Sequence, residues 1–161
     1  MATASGVLHD IVKAYDVRGT YPDQFNADVA YALGVGFARF CGAPTVLVAR
    51  DMRPSGPELV DAFARGVMEQ GVDVIDLGLA STDLMYFAAG TLDAPGAMFT
   101  ASHNPAQYNG VKFCLAGAKP VGQDTGLDTV KATAVEVLDG RAPAHAAKAG
   151  RALFLQAGRF A

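Results

Sequence analysis

Cysteine is scarce in this sequence: Cys41 and Cys114 are the only two in 161 residues, and they show no metal-ligand spacing. A disulfide framework is excluded, and both are expected as free, packed thiols. Positive charge is also short. The 13 Lys and Arg are outnumbered by 16 Asp and Glu, for a formal net charge of -3. A nucleic-acid or anionic-membrane surface needs a broad positive field, so neither partner is expected, and any bound anion must be met locally. No apolar run approaches the roughly 18 residues of a membrane span. The opening "MATASGVLHDIVKAYD" lacks the basic segment, apolar stretch and small-residue cleavage site of a secretion signal, so a cytoplasmic location is expected. There is no internal repeat and no P-loop.

What is present suits one globular domain: 51% of residues are hydrophobic and 18% charged, enough to bury roughly 70% of the unfolded surface. "NADVAYALGVGFARF" from Asn26 to Phe40 carries a helical apolar period, with Asn26 placed to cap it and Gly42 to end it. "TVLVAR" at Thr45 to Arg50 reads as a buried strand. A helix follows from Gly56 to Gln70 with Leu59, Val60, Phe63, Val67 and Met68 on one face, stopped by Gly71. "VDVIDLG" at Val72 to Gly78 reads as a strand. Ser81 can cap a short helix to about Ala89, and "GAMFTA" at Gly96 to Ala101 is a third strand.

This alternation predicts an α/β layer with parallel strands and right-handed crossovers. Asn109-Gly110 is a strong hairpin signal, which predicts that Val111 to Leu115 turns back against Gly96 to Ala101 and makes the sheet mixed. Loops at the carboxyl ends of the parallel strands, those at Arg50 and Ser102 among them, are then neighbours, where ligands normally bind. A last helix is expected from Asp124 to Leu138, closed by Gly140. Residues 141–161, rich in Ala and Gly, read as a linker or atypical C-terminal tail after a domain at 1–140. Gly34 and Gly36 lie inside a helical pattern and indicate close helix packing rather than a dinucleotide loop.

The chemistry concentrates in "TASHNPAQYNGVKF", Thr100 to Phe113. A Ser-His hydrolase is disfavoured, because adjacent residues in extended chain point apart and no G-x-S-x-G turn is present. A phosphate-carrying serine fits better: phosphate on Ser102 would add about -1.5 to -2 charge and three acceptor oxygens. Lys112, Arg18, Arg50 and Arg53 are cations on loops and strands expected at the same edge, each also readable as a solvated surface charge. His103 could serve a substrate hydroxyl as acid or base. Asp51 and Asp76 could bind a metal, but carboxylates after strands more often cap helices or pair with arginine. His9 and His145 have no partner pattern and are expected to be exposed.

"TASHNP" at Thr100 to Pro105 and "YNGVKF" at Tyr108 to Phe113 resemble the active-site segment of the α-D-phosphohexomutases, the phosphomannomutase and phosphoglucomutase family. "KAYDVRGTYP" at Lys13 to Pro22, "VARDMRPSG" at Val48 to Gly56 and "KPVGQDTGL" at Lys119 to Leu127 continue the likeness in the family's order. The resemblance implies the family's N-terminal domain, a three-layer α/β/α unit with a mixed, mostly parallel sheet. It implies phosphoryl transfer between the 1- and 6-positions of a hexose through a phosphoserine, with Mg2+ and a hexose 1,6-bisphosphate intermediate. Carried onto this chain, Ser102 would be the phosphorylated nucleophile and, through its phosphate, one metal ligand. Lys112 and Arg18 would stabilise the transferring group, His103 would handle the proton, and Tyr15, Arg50 and Asn104 would support the substrate.

The family's carboxylate metal loop, sugar-recognition loop and C-terminal phosphate loop do not occur in the sequence. The chain by itself is therefore expected to be inactive, to need the family's later domains as partners, and to self-associate through surface those domains cover. The competing expectation is a non-catalytic α/β domain that binds sugar phosphate or a protein partner.

Overall fold

The computed structural model describes residues 3–141 and 143–155, and the alternation read from the chain is there. In order the elements are α1 (Ala4–Ile11), β1 (Val17–Thr20), α2 (Ala27–Cys41), β2 (Thr45–Arg50), α3 (Gly56–Glu69), β3 (Asp73–Leu79), α4 (Thr82–Thr91), β4 (Gly96–Phe99), β5 (Tyr108–Leu115), β6 (Lys119–Pro120), a 3-10 turn (Gln123–Thr125), α5 (Leu127–Leu138) and β7 (Ala152–Phe154). The expected caps form: Asn26 Oδ1 accepts from Val29 N–H at 3.1 Å and Ser81 Oγ from Leu84 N–H at 3.1 Å. Gly42 closes α2 in the left-handed region at φ 59°, where a side chain would be strained.

The sheet runs β1-β5-β4-β2-β3-β7, with β6 on the flank of β5. β2 pairs parallel with β3 and β4, and β3 with β7, while β1, β4 and β6 each pair antiparallel with β5. Six strands thus run one way and β5 alone runs against them, the mixed and mostly parallel sheet that was expected. Successive side chains leave a strand on opposite faces, and two clusters divide accordingly. Val46, Val48, Val74, Ala97, Phe99, Val111 and Phe113 pack under α2, α3 and α5. Leu47, Ala49, Leu77, Met98 and Cys114 meet Met85, Ala88 and Ala89 of α4. Three layers result. A Cβ on Gly34 would lie 2.2 Å from Phe63 O, and one on Gly36 2.7 Å from Val130 O, so these glycines do serve close helix packing.

Three features differ from expectation. Asn109-Gly110 is not the turn: both residues lie inside β5, and residues 100–107 make the reversal. The physical need there is closeness, because a Cβ on Gly110 would lie 2.1 Å from Val17 O and 3.1 Å from Thr100 O. Asn109 is wholly buried, donating from Nδ2 to Ser55 Oγ at 2.8 Å. The second difference is β1, four residues assigned to no element from the chain, which pairs with β5 from Val17↔Val111 to Thr20↔Tyr108. The third is β7. Residues 152–154 of the tail add an exposed edge strand, Val74↔Ala152 to Asp76↔Phe154; residues 142 and 156–161 of that tail lie outside the described residues. Both thiols are free, Cys114 buried and Cys41 partly so.

Candidate active site

The site is built where β4 ends. Six co-directional strands put the carboxyl ends of β1, β2, β3 and β4 on one edge, and the 100–107 loop leaves β4 there to enter β5. Ser102 sits on this loop with φ 56°, a left-handed conformation that costs a non-glycine residue roughly 1–2 kcal/mol. Hydrogen bonds on both sides of the residue hold it. Ser102 N–H donates to Thr100 Oγ1 at 3.0 Å, and that hydroxyl donates to Asp51 Oδ2 at 2.7 Å. Arg53 Nε also donates to Asp51 Oδ2, at 3.4 Å, while Arg53 Nη2 donates to Ser102 O at 3.0 Å. The side chain of Ser102 is left exposed to solvent.

Arg53 is the residue whose role the sequence reading missed. It was read as a cation for phosphate, but it is only 5% exposed and its five N–H donors are committed. Besides Asp51 and Ser102 O, it donates to Asn104 O at 2.8 Å, Pro105 O at 2.8 Å and Tyr108 O at 2.9 Å. Its sequence partners lie 49 to 55 positions away. The one signal in the chain is the arginine two residues after Asp51 in "RDMRP", since such a pair offers a cation its own carboxylate.

The remaining candidates separate. In antiparallel pairs, opposed residues share a face. Arg18 opposes Gly110 and Lys112 opposes Met98, so Arg18 and Lys112 project from the same face of β1 and β5. Arg18 is steadied by Asp16 Oδ2 at 2.6 Å, has a side chain 30% exposed, and keeps its Nε without a partner among the described residues. Lys112 is partly buried with an ammonium that has no partner among the described residues. Arg50 follows the other parity, with its stem against Gly56, whose added Cβ would lie 3.2 Å from Arg50 Cδ. His103 is exposed beside Ser102. Asn104 is a loop former: its backbone N–H and its Nδ2 both donate to Ala101 O, at 3.1 and 3.0 Å. Tyr15, 83% exposed, lies in the turn before β1, at the opposite edge of the sheet from the serine loop. It borders instead a groove of about 410 Å³ with Ala14, Pro120, Gly122 and Gln123.

Asp51 is spent on Arg53 and Thr100, and Asp76 accepts from Gly78 N–H at 2.8 Å, so both carboxylates act locally. Among the described residues no three of His, Cys, Asp and Glu come together to hold a metal. A divalent cation does not fit the carboxylates of the described residues alone. His145 is exposed as expected, but it does have a partner, Glu69 Oε2 at 3.2 Å.

Fold and site together define a class: an α/β/α domain with one reversed strand and a serine on a strained loop fastened by a buried arginine. The family described as phosphoglucomutase/phosphomannomutase, alpha/beta/alpha domain I, matches residues 9–136. A phosphomannomutase of Klebsiella pneumoniae is 42% identical over 125 residues, covering 77% of this chain and 80% of that protein. One of Escherichia coli is 42% identical over 125 residues but only 27% of it is covered. Among solved structures, a phosphoglucomutase/phosphomannomutase family protein of Burkholderia thailandensis superposes with TM-score 0.73 at 33% identity, over 97% of this chain and 33% of that one. A structure from Thermus thermophilus, assigned as a phosphomannomutase, gives 0.75 at 29% identity, over 89% and 32%. This chain belongs to the phosphoglucomutase/phosphomannomutase family and corresponds to its domain I. It spans about a quarter of the Escherichia coli relative.

Proposed function

We propose that this domain supplies the phosphoserine of a phosphohexomutase, which moves a phosphoryl group between the 1- and 6-positions of a hexose within a longer polypeptide. The observation that carries the reading is Ser102 itself: an exposed hydroxyl on a backbone held in a strained conformation, on the edge adjoining the face from which Arg18 and Lys112 project. In the forward half-reaction the P–O bond to Ser102 Oγ breaks and a bond to a sugar hydroxyl oxygen forms. His103 takes the hydroxyl proton, and the product is a hexose 1,6-bisphosphate. After that intermediate turns over in the site, its other phosphoryl group returns to Ser102 Oγ and the proton is given back.

Phosphoryl transfer is helped mainly by alignment and by cations around the equatorial oxygens, which is the work assigned to Lys112 and Arg18. Arg50 is assigned to the substrate's distal groups, since it lies off the Arg18 and Lys112 face; Tyr15, at the opposite edge of the sheet from the serine loop, is assigned to the groove it borders. Asn104 supports the site through the shape of the loop. Among the described residues the carboxylates do not make a magnesium site; on this reading a phosphoryl group on Ser102 would be a contribution of this domain to a Mg2+, which would neutralise the charge of the transferring group. Leu79, Leu153 and Phe154, exposed along the β3–β7 edge, favour self-association of the isolated chain, which light scattering measures.

The test is Ser102→Ala in the full-length polypeptide, assayed for conversion of hexose 1-phosphate to hexose 6-phosphate, with intact mass reporting the phosphoryl group on the unsubstituted protein. Turnover is expected to vanish in the variant. Wild-type turnover would remove Ser102 from the mechanism. Binding of hexose phosphate without turnover in the unsubstituted protein would favour the non-catalytic domain instead.

A further inference from the structure

We infer that Arg53 is the positioning residue of the phosphoryl-carrying loop: it acts through the backbone of Ser102 and never touches substrate. The inference rests on the reading of Ser102 given above. Its own grounds are the closed ring of hydrogen bonds that runs from Ser102 N–H through Thr100 Oγ1 and Asp51 Oδ2 to Arg53 Nε, and from Arg53 Nη2 back to Ser102 O. A residue with its amide and its carbonyl both held has its φ and ψ dictated from outside, which is what an otherwise unfavourable left-handed serine requires.

The remaining guanidinium donors collect Asn104 O and Pro105 O from the same loop and Tyr108 O from the first residue of β5. Four carbonyls in and beside the loop therefore converge on one buried cation, and only a planar fork with five donors can serve them together with a carboxylate. There is a consequence for the outer side of the loop. Across a trans peptide the C=O and N–H point opposite ways, so drawing Ser102 O inward turns His103 N–H away from Arg53. Drawing Pro105 O inward does the same for Ala106 N–H. Neither amide has a hydrogen-bond partner among the described residues. Outward amides beside a left-handed residue form a concavity that suits an anion, and the His103 amide is the one adjoining Ser102. Arg53 thus serves the phosphoryl group by orienting backbone donors while its own charge stays with the carbonyls.

The experiment compares Arg53→Ala, Arg53→Lys, Thr100→Val and Ser102→Ala in the full-length polypeptide, using glucose 1-phosphate and mannose 1-phosphate as substrates and thermal unfolding as the control for folding. Displacement of the loop by an ångström is expected to lower kcat in Arg53→Ala by about 10²-fold, with KM within about threefold of wild type. Added guanidinium ion is expected to restore at least about a tenth of the lost activity, since it can refill the same donors; a loss due only to lower stability would not be rescued. Arg53→Lys should fall between, because an ammonium has three donors and no fork. If Arg53→Ala fails to fold, Thr100→Val decides, breaking the ring at an uncharged point with an expected kcat loss of about tenfold. A folded Arg53→Ala with wild-type kcat, or a kcat loss without guanidinium rescue, overturns the inference while an inert Ser102→Ala leaves the functional reading intact. Retained turnover in Ser102→Ala overturns both.

Discussion

On one face of the sheet Phe113 of β5 lies with its ring centroid 4.4 Å from that of Phe37, and Phe63 meets Phe99 edge-on at 5.3 Å. On the other face the same strand presents Lys112, opposite Met98, and Gly110, opposite Arg18. Adjacent residues of one strand therefore belong to different regimes: Val111 and Phe113 are buried in the cluster under α2, α3 and α5, while Lys112, on the other face, is only partly buried. The closed face specifies the fold by volume and by close approach of backbones. At Lys112 the α4 side can carry charge because the residue is only partly buried and its ammonium has no partner among the described residues. Substitutions on the two faces should separate stability from chemistry, and the size of that separation measures how independent the faces are.

The largest effect is expected from Phe113→Ala. It removes a ring that stacks on Phe37 and on Phe63, and truncating a buried phenylalanine costs about 3–5 kcal/mol. Urea unfolding reads it, and a loss below about 1 kcal/mol would mean that the closed face is not the cohesive one. A smaller effect with a built-in control comes from glycine. Gly34→Ala drives a methyl toward Phe63 O, a backbone atom that cannot rotate away, and overpacking of this kind costs about 1–3 kcal/mol. Gly90 in α4 has nothing within 4 Å of an added Cβ, so Gly90→Ala should instead stabilise by about 0.5–1 kcal/mol through helix propensity. Equal signs for the two would erase the contrast.

Much of the fold was legible in the sequence because its causes are local. Asn26, Ser81 and Gly42 act within three or four residues of themselves, and the clash at Gly34 is implied by a glycine where a helix would prefer alanine. The reversal of β5 was also legible, though for a different reason: the Asn-Gly pair that signals a hairpin is used for close packing, and the 100–107 loop, with its left-handed Ser102, makes the turn. β1 and β7 escaped notice since strands of four and three residues exist only through their partners. The site divides the same way. Ser102, His103, Lys112 and Arg18 could be picked out as candidates from residue type and order, with their roles supplied by the resemblance, and the structure puts Arg18 and Lys112 on one face. Burial of Arg53 could not be named, because its acceptors are main-chain carbonyls that any sequence would have. Tyr15 could be quoted from a motif, but its position at the far edge depends on the direction of β1.

The two thiols report on the two faces. Burial pushes Cys41, packed against the helix-covered core, up to about 12, with Cys114 nearby adding to the shift; burial pushes Cys114, under α4, up to about 11, against an ordinary value of 9.0. As pH rises past 9.0 the unfolded chain releases these protons first, so the folded state holds more protons and stability falls. The contribution is complete below 9.0 and is lost progressively toward 11 and 12. Unfolding free energies at pH 8, 9 and 10 should decline, and Cys41→Ala with Cys114→Ala together should flatten the decline. Tyr31, raised to about 12 by burial and by its bond to Glu69, leaves a residual slope.

The smallest expected change in stability comes from the open face itself. Lys112→Met keeps an unbranched stem of similar length beside Met98 and removes only an ammonium with no partner among the described residues, so unfolding should shift by no more than about 0.5 kcal/mol. If, as proposed, the Lys112 ammonium meets a transferring phosphoryl group, removing that charge should nevertheless lower kcat by about 10²–10³-fold in the full-length polypeptide. The pairing of those two results is the informative part. Phe113, the next residue along, is expected to give the reverse, a large loss of stability with activity retained per folded molecule at low temperature. If Lys112→Met unfolded the domain instead, its side chain would belong to the packing of α4, and the division of β5 into a structural and a chemical face would fail at the residue where it is drawn most sharply.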